Sequence, residues 1–84
     1  MILNQLKVGE IAKVVGFAPG EKAYRQKLLA MGLTPGTEFL VWRIAPLGDP
    51  MELQVRGFAL FLRKNEAALM QVEKILPWIR SPLL

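Results

Sequence analysis

Apolar and polar positions alternate along much of this chain, and Gly or Pro interrupts the pattern at short intervals. Residues 8–17 are rich in Val and Ile, with glycines near both ends, and read as a first strand with Ile11 and Val14 in its core. Ala18, Pro19 and Gly20 break that strand with turn chemistry. In residues 21–31, Tyr24, Leu28 and Met31 recur at i, i+4 and i+7, which predicts one face of a helix. Gly32 suits the left-handed position after the last turn, and Leu33 can fold back onto that turn. Thr34, Pro35 and Gly36 then reverse the chain.

Residues 37–45 form a second β-rich segment, and 46–50 a loop in which Pro46 and Pro50 bracket Leu47, Gly48 and Asp49. Residues 51–56 alternate cleanly, with Met51, Leu53 and Val55 on one face and Glu52, Gln54 and Arg56 on the other. Gly57 makes a tight connection to a strand over 58–63. Asn65 is placed to cap a short helical turn, and residues 71–75 make a last strand. The tail, 76–84, carries Pro77 and Pro82 and has no regular period.

The fold class expected from this pattern is mostly β: a small closed or partly closed barrel of about five strands with one inserted α-helix and a short helical turn. Its expected core is Ile11, Val14, Tyr24, Leu28, Met31, Leu33, Phe39, Val41, Leu53, Val55, Leu60, Leu62 and Val72. The 84 residues suffice for one domain, here 1–75, followed by the tail 76–84.

Composition narrows the chemistry. With no cysteine there is no disulfide framework and no thiolate, and with no histidine the commonest general base and transition-metal ligand are missing. The aliphatic hydroxyls of Thr34, Thr37 and Ser81 have no partner motif for nucleophilic catalysis. The seven acids are dispersed without ligand-like spacing, and no phosphate-binding glycine loop occurs. No enzyme activity, cofactor or metal site is expected. No segment approaches the ~18 apolar residues of a membrane span, and the first residues lack the basic start of a signal peptide. These features suggest a soluble cytoplasmic chain. Its net charge of +4 is scattered among acids rather than gathered in a run. Nucleic acid is therefore not the expected partner, although a basic nucleic-acid-binding module remains an alternative, as does a carboxylate-based metal-responsive regulator.

Surface recognition is left. If Phe39 and Val41 point inward on their strand, Leu40, Trp42 and Ile44 point outward, with Arg43 beside them. Large apolar side chains on an outer face, next to an arginine, resemble the core of an interface. The tail could cover this face in its own chain, or in a second copy to make a homodimer. Arg25 and Lys27 give the helix a basic side, and Leu47 and Asp49 offer a loop contact.

Residues 23–36 carry a further signal. Lys27, Leu28, Met31, Gly32, Pro35 and Gly36 match a basic-Leu-x-x-Leu-Gly-x-x-Pro-Gly pattern, with Met in place of the second Leu. Residues 41–50 match a strand leading into a Pro-Leu-Gly-Asp-Pro loop, and Leu62, Arg63, Glu66 and Ala67 match a Leu-Arg-x-x-Glu-Ala element. In this order and spacing, over residues 4–75, the chain resembles the FeoA family. The resemblance implies an SH3-like barrel in which Leu28, Gly32, Pro35 and Gly36 are structural signature positions. It also implies a non-catalytic accessory of ferrous-iron uptake that binds and modulates a FeoB-type membrane permease through the permease's cytoplasmic part.

Overall fold

A computed structural model describes residues 1–20 and 22–75. The tail 76–84, with the packing expected for it, lies outside the described residues. Five strands are present, β1 (Ile11–Phe17), β2 (Glu38–Ile44), β3 (Met51–Val55), β4 (Phe58–Leu62) and β5 (Met70–Ile75), with helix α1 (Lys22–Ala30) between β1 and β2 and helix α2 (Lys64–Ala67) between β4 and β5. The strands form one antiparallel sheet in the order β4-β3-β2-β1-β5. All five strands contribute inward residues to a single core, so the sheet wraps around it, and Leu28 of α1 enters from the side, fully buried.

Local chemistry explains the boundaries. α1 ends in a Schellman arrangement: Leu33 N–H donates to the Leu28 carbonyl at 3.1 Å and Gly32 N–H to the Leu29 carbonyl at 3.0 Å. Gly32 has φ +94°, a conformation that costs an L-residue about 1–2 kcal/mol. A Cβ at this position meets nothing within 4 Å. Gly32→Ala is therefore expected to lose that backbone term and nothing more, read as a lower urea midpoint with an unchanged slope. The buried Thr37 hydroxyl donates to the Gly32 carbonyl at 3.2 Å and ties the end of the helix to the start of β2. Between β3 and β4, Arg56 (φ 52°) and Gly57 (φ 85°) make a two-residue turn with both central residues left-handed.

The core corrects several expectations. β1 starts at Ile11, because Val8 and Gly9 form a turn. Ile11 is only half-buried on the outer side, opposite Leu40, while Ala12 and Val14 point in. Met31 and Leu60 pack against the core half-buried, and Tyr24 is likewise half-buried, its hydroxyl accepting from Asn65 Nδ2 at 3.1 Å. Asn65 is thus inside α2 rather than its cap. The cap is Arg63, whose N–H donates to Glu66 Oε1 at 2.9 Å. Leu3 and Leu6 also enter the core from a 3-10 turn at Leu3–Gln5. The chain before that turn lies along β5, where Val72 N–H donates to the Met1 carbonyl at 2.8 Å.

Candidate partner-binding surface

The outer face of β2 is shaped by a bulge. Val41 stands opposite Leu53 and Arg43 opposite Glu52, so Trp42 is an extra residue with no partner in the ladder. Before the bulge, Phe39 and Val41 point into the core and Leu40 points out. After it the phase is inverted. Ile44 pairs with the buried Met51 and packs against the core, so it does not share the Leu40–Trp42 face as the alternation predicts. The bulge leaves Trp42 47% exposed and the Arg43 side chain 76% exposed, side by side on the outside.

A second element borders this face. The turn at residues 7–10 docks on β2 through Gly9 N–H to the Val41 carbonyl (2.8 Å) and Val41 N–H to the Glu10 carbonyl (2.9 Å). The Glu10 carboxylate fixes the turn, accepting from Lys7 N–H at 2.7 Å and pairing with Lys74 at 2.6 Å. The hydrogen bond from Lys74, joined by that from the Lys7 N–H, holds the Glu10 carboxyl below its ordinary range. Val8 is thereby held exposed beside the bulge. Val8, Gly9, Leu40, Val41, Trp42 and Arg43 line an open, mainly apolar groove of about 300 Å³. Arg43 reaches Glu52 only at 3.9 Å, so its guanidinium remains open to another carboxylate.

Across Arg43 the apolar surface continues. A second groove of about 320 Å³ is lined by Arg43, Ile44, Pro46, Pro50 and Phe61, among others. Phe61 lies opposite Glu52, next but one to Arg43 across the sheet, and is 58% exposed. Neither Val8 nor Phe61 stands out in the sequence as a surface residue. The uniformly apolar run of β4 gives no phase from which exposure at Phe61 can be read.

The remaining candidates are spread more widely. Leu47 is the most exposed of the large apolar residues among the described residues, and Asp49 is also exposed, both on the loop joining β2 to β3. Arg25 lies exposed on α1. Lys27, on the same helix, has a partner of its own: its ammonium sits 2.5 Å from Oε2 of Glu66, a carboxylate that is 2% exposed. Burial pushes the Glu66 carboxyl up, but the hydrogen bonds from Lys27 and from the Arg63 N–H outweigh burial and leave it below its ordinary value. Lys27 is therefore engaged by Glu66 while more than half of its side chain stays exposed. Among the described residues there is no group of three or more metal-ligating side chains, and no helix long and apolar enough to cross a membrane.

The FeoA domain model matches residues 1–74. The chain belongs to the FeoA domain family. Its FeoA-type fold is similar to the solution structure of an FeoA-like protein from Clostridium acetobutylicum, at 41% identity and a TM-score of 0.82, over 90% of this chain and 87% of that one. It is also similar to the Stenotrophomonas maltophilia FeoA complexed with zinc, at 26% identity and a TM-score of 0.75, over 87% of this chain and 89% of that one. The latter is described as a procaryotic SH3 domain protein, in agreement with the five-stranded architecture found here. Among curated proteins, the chain is 33% identical over 75 residues to the Fe(2+) transport protein A/Fe(2+) transporter FeoB fusion protein of Porphyromonas gingivalis. That match takes in 89% of this chain but only 9% of the fusion protein's length.

Proposed function

We propose that this FeoA-type domain is a non-catalytic, cytoplasmic accessory of ferrous-iron uptake that binds and modulates a FeoB-type permease. Contact is made with the cytoplasmic part of the permease. Ferrous iron is the cargo of that system, and the domain acts through protein contacts rather than by carrying the ion.

The observation that carries this reading is the outward Trp42 at the β2 bulge, set between Val8, Leu40 and the open guanidinium of Arg43. A large aromatic with an adjacent arginine, in an apolar groove, is the composition of an interface hot spot. The fusion relative supports the choice of partner. A domain similar to this one is joined there in one polypeptide to a protein named as an Fe(2+) transporter. Such a covalent link raises the effective concentration of one part at the other, which is useful when the two bind.

The test is Trp42→Ala. Truncating a hot-spot aromatic typically costs about 2 kcal/mol or more of binding, a loss of at least about thirtyfold in affinity for the permease's cytoplasmic domain. Because Trp42 has no ladder partner and is half out of the surface, the thermal midpoint should move little. Unchanged affinity in the substituted protein would remove this surface from the account.

A further inference from the structure

The sheet has two edges, and the fold treats them differently. The β5 edge is covered by the N-terminal segment, through the Ile2–Gln71 bridge and the Val72 N–H bond to Met1. β4 pairs with β3 on one side, and among the described residues its other side makes no backbone hydrogen bond. The register identifies the open groups. The two-residue turn at Arg56 and Gly57 makes Val55 and Phe58 a hydrogen-bonded pair, and alternation makes Leu53–Leu60 and Met51–Leu62 hydrogen-bonded as well. Ala59 and Phe61 therefore turn their N–H and C=O groups outward.

Natural edges are normally blunted by a charge, a proline or a bulge. β4, Phe58–Leu62, contains none of these. Beside it run two grooves, one bordered by Met31 just past the end of α1 and one by Lys27 of α1. One, of about 390 Å³, lies between Met31 and Phe58, and the other, of about 320 Å³, lies between Lys27 and Phe61. Phe58 is 71% exposed at the rim of the first. Both ends of the strand are basic, with Arg56 at one end and Arg63 and Lys64 at the other, while the nearby Glu66 is already neutralised by Lys27.

We infer that the β4 edge takes up an extended segment of another protein as a sixth strand, and that this segment is apolar at alternate positions and acidic at its ends. Backbone groups of Ala59 and Phe61 hold the segment, side chains of one face enter the grooves beside α1, and terminal carboxylates meet Arg56 and Arg63. Charge argues against a second copy as the occupant. Two-fold pairing of Ala59 with Phe61 would set Arg56 of one copy against Lys64 of the other. This site shares Phe61 with the apolar surface that continues past Arg43, but none of the residues lining the Trp42 groove belongs to it, and it does not depend on the partner proposed there.

The experiment uses the full chain, labelled for amide NMR, and a short synthetic peptide of alternating valine and threonine with glutamates at both ends. The expected result is that the Ala59 and Phe61 amides shift and exchange more slowly on titration. A lysine-ended peptide should bind more weakly by roughly tenfold or more. Ala59→Pro removes one outward N–H without touching the ladder to β3 and should abolish the response. Should that variant fail to fold, Arg56→Glu with Arg63→Glu serves, and should reverse the preference between the two peptides. Trp42→Ala should leave peptide binding as it is. Unmoved Ala59 and Phe61 amides would overturn the inference, as would equal response to both peptides. Protection of these amides in the free protein, together with dimer formation on sedimentation, would give the edge to a second copy and overturn it too.

Discussion

Replacing Leu28 with alanine is expected to cost this domain about 2–5 kcal/mol of unfolding free energy. Leu28 is fully buried, and it is the only residue through which α1 reaches the strands as a wholly enclosed side chain. Its backbone carbonyl also accepts the Leu33 N–H that closes the helix, and Leu33 is itself fully buried. A cavity at position 28 thus loosens the core, the helix end and the entry into β2 together. Small domains hold about 0.05–0.15 kcal/mol of stability per residue, so this loss removes a substantial share of the total. For a chain of this size each kcal/mol moves the thermal midpoint by about 4–8 °C, and calorimetry should record a fall of roughly 10 °C or more. Gln26→Ala, on the exposed side of the same helix, should stay within about 0.5 kcal/mol of the parent. A Leu28→Ala protein that melts with the parent would contradict the packing of α1.

The second large effect is expected at Lys27 and Glu66. The Glu66 carboxylate is enclosed, and it is kept ionised by one ammonium and one backbone N–H. Lys27→Ala leaves a buried carboxylate without its cation, a loss of about 1–3 kcal/mol, toward the lower end because the lysine is itself 57% exposed and solvent can partly replace it. Glu66 is held below its ordinary value of 4.5 in the fold. Its contribution is therefore fully present above the unfolded glutamate pKa and is lost as pH falls through the lowered folded value. Urea midpoints should show Glu66→Gln well below the parent at neutral pH, with the gap closing under acid conditions below 4.5. A gap that persists in acid would mean that the pair acts through shape rather than charge.

That pair also gives a physical meaning to two parts of the family pattern. The basic residue before Leu28 and the glutamate of the Leu-Arg-x-x-Glu-Ala element are far apart in sequence, and nothing local connects them. The fold brings Lys27 and Glu66 together and so joins α1 to α2. Much else was legible locally. Gly32 and Leu33 announced the end of the helix, and the strict alternation of 51–55 gave β3 and its inward face.

The outer face of β2 was only half legible. Unbroken alternation from Phe39 and Val41 would bury Arg43, an unsatisfactory place for a guanidinium. The bulge at Trp42 resolves that conflict by shifting the phase, which sends Ile44 inward and leaves Arg43 outside. The charged residue at the wrong phase was the available signal. At Phe61 there was none, because every residue of β4 is apolar. Leu3 and Leu6 were missed for a related reason: one 3-10 turn is too short to display a period.

The measurement closest to the central claim is calorimetric titration of this protein into the isolated cytoplasmic domain of a FeoB-type permease at low and at high salt. The account predicts saturable binding that largely survives added salt, because apolar contact around Trp42 supplies most of it. Absence of heat and of binding at both salt concentrations, in every nucleotide state of that domain, would contradict it.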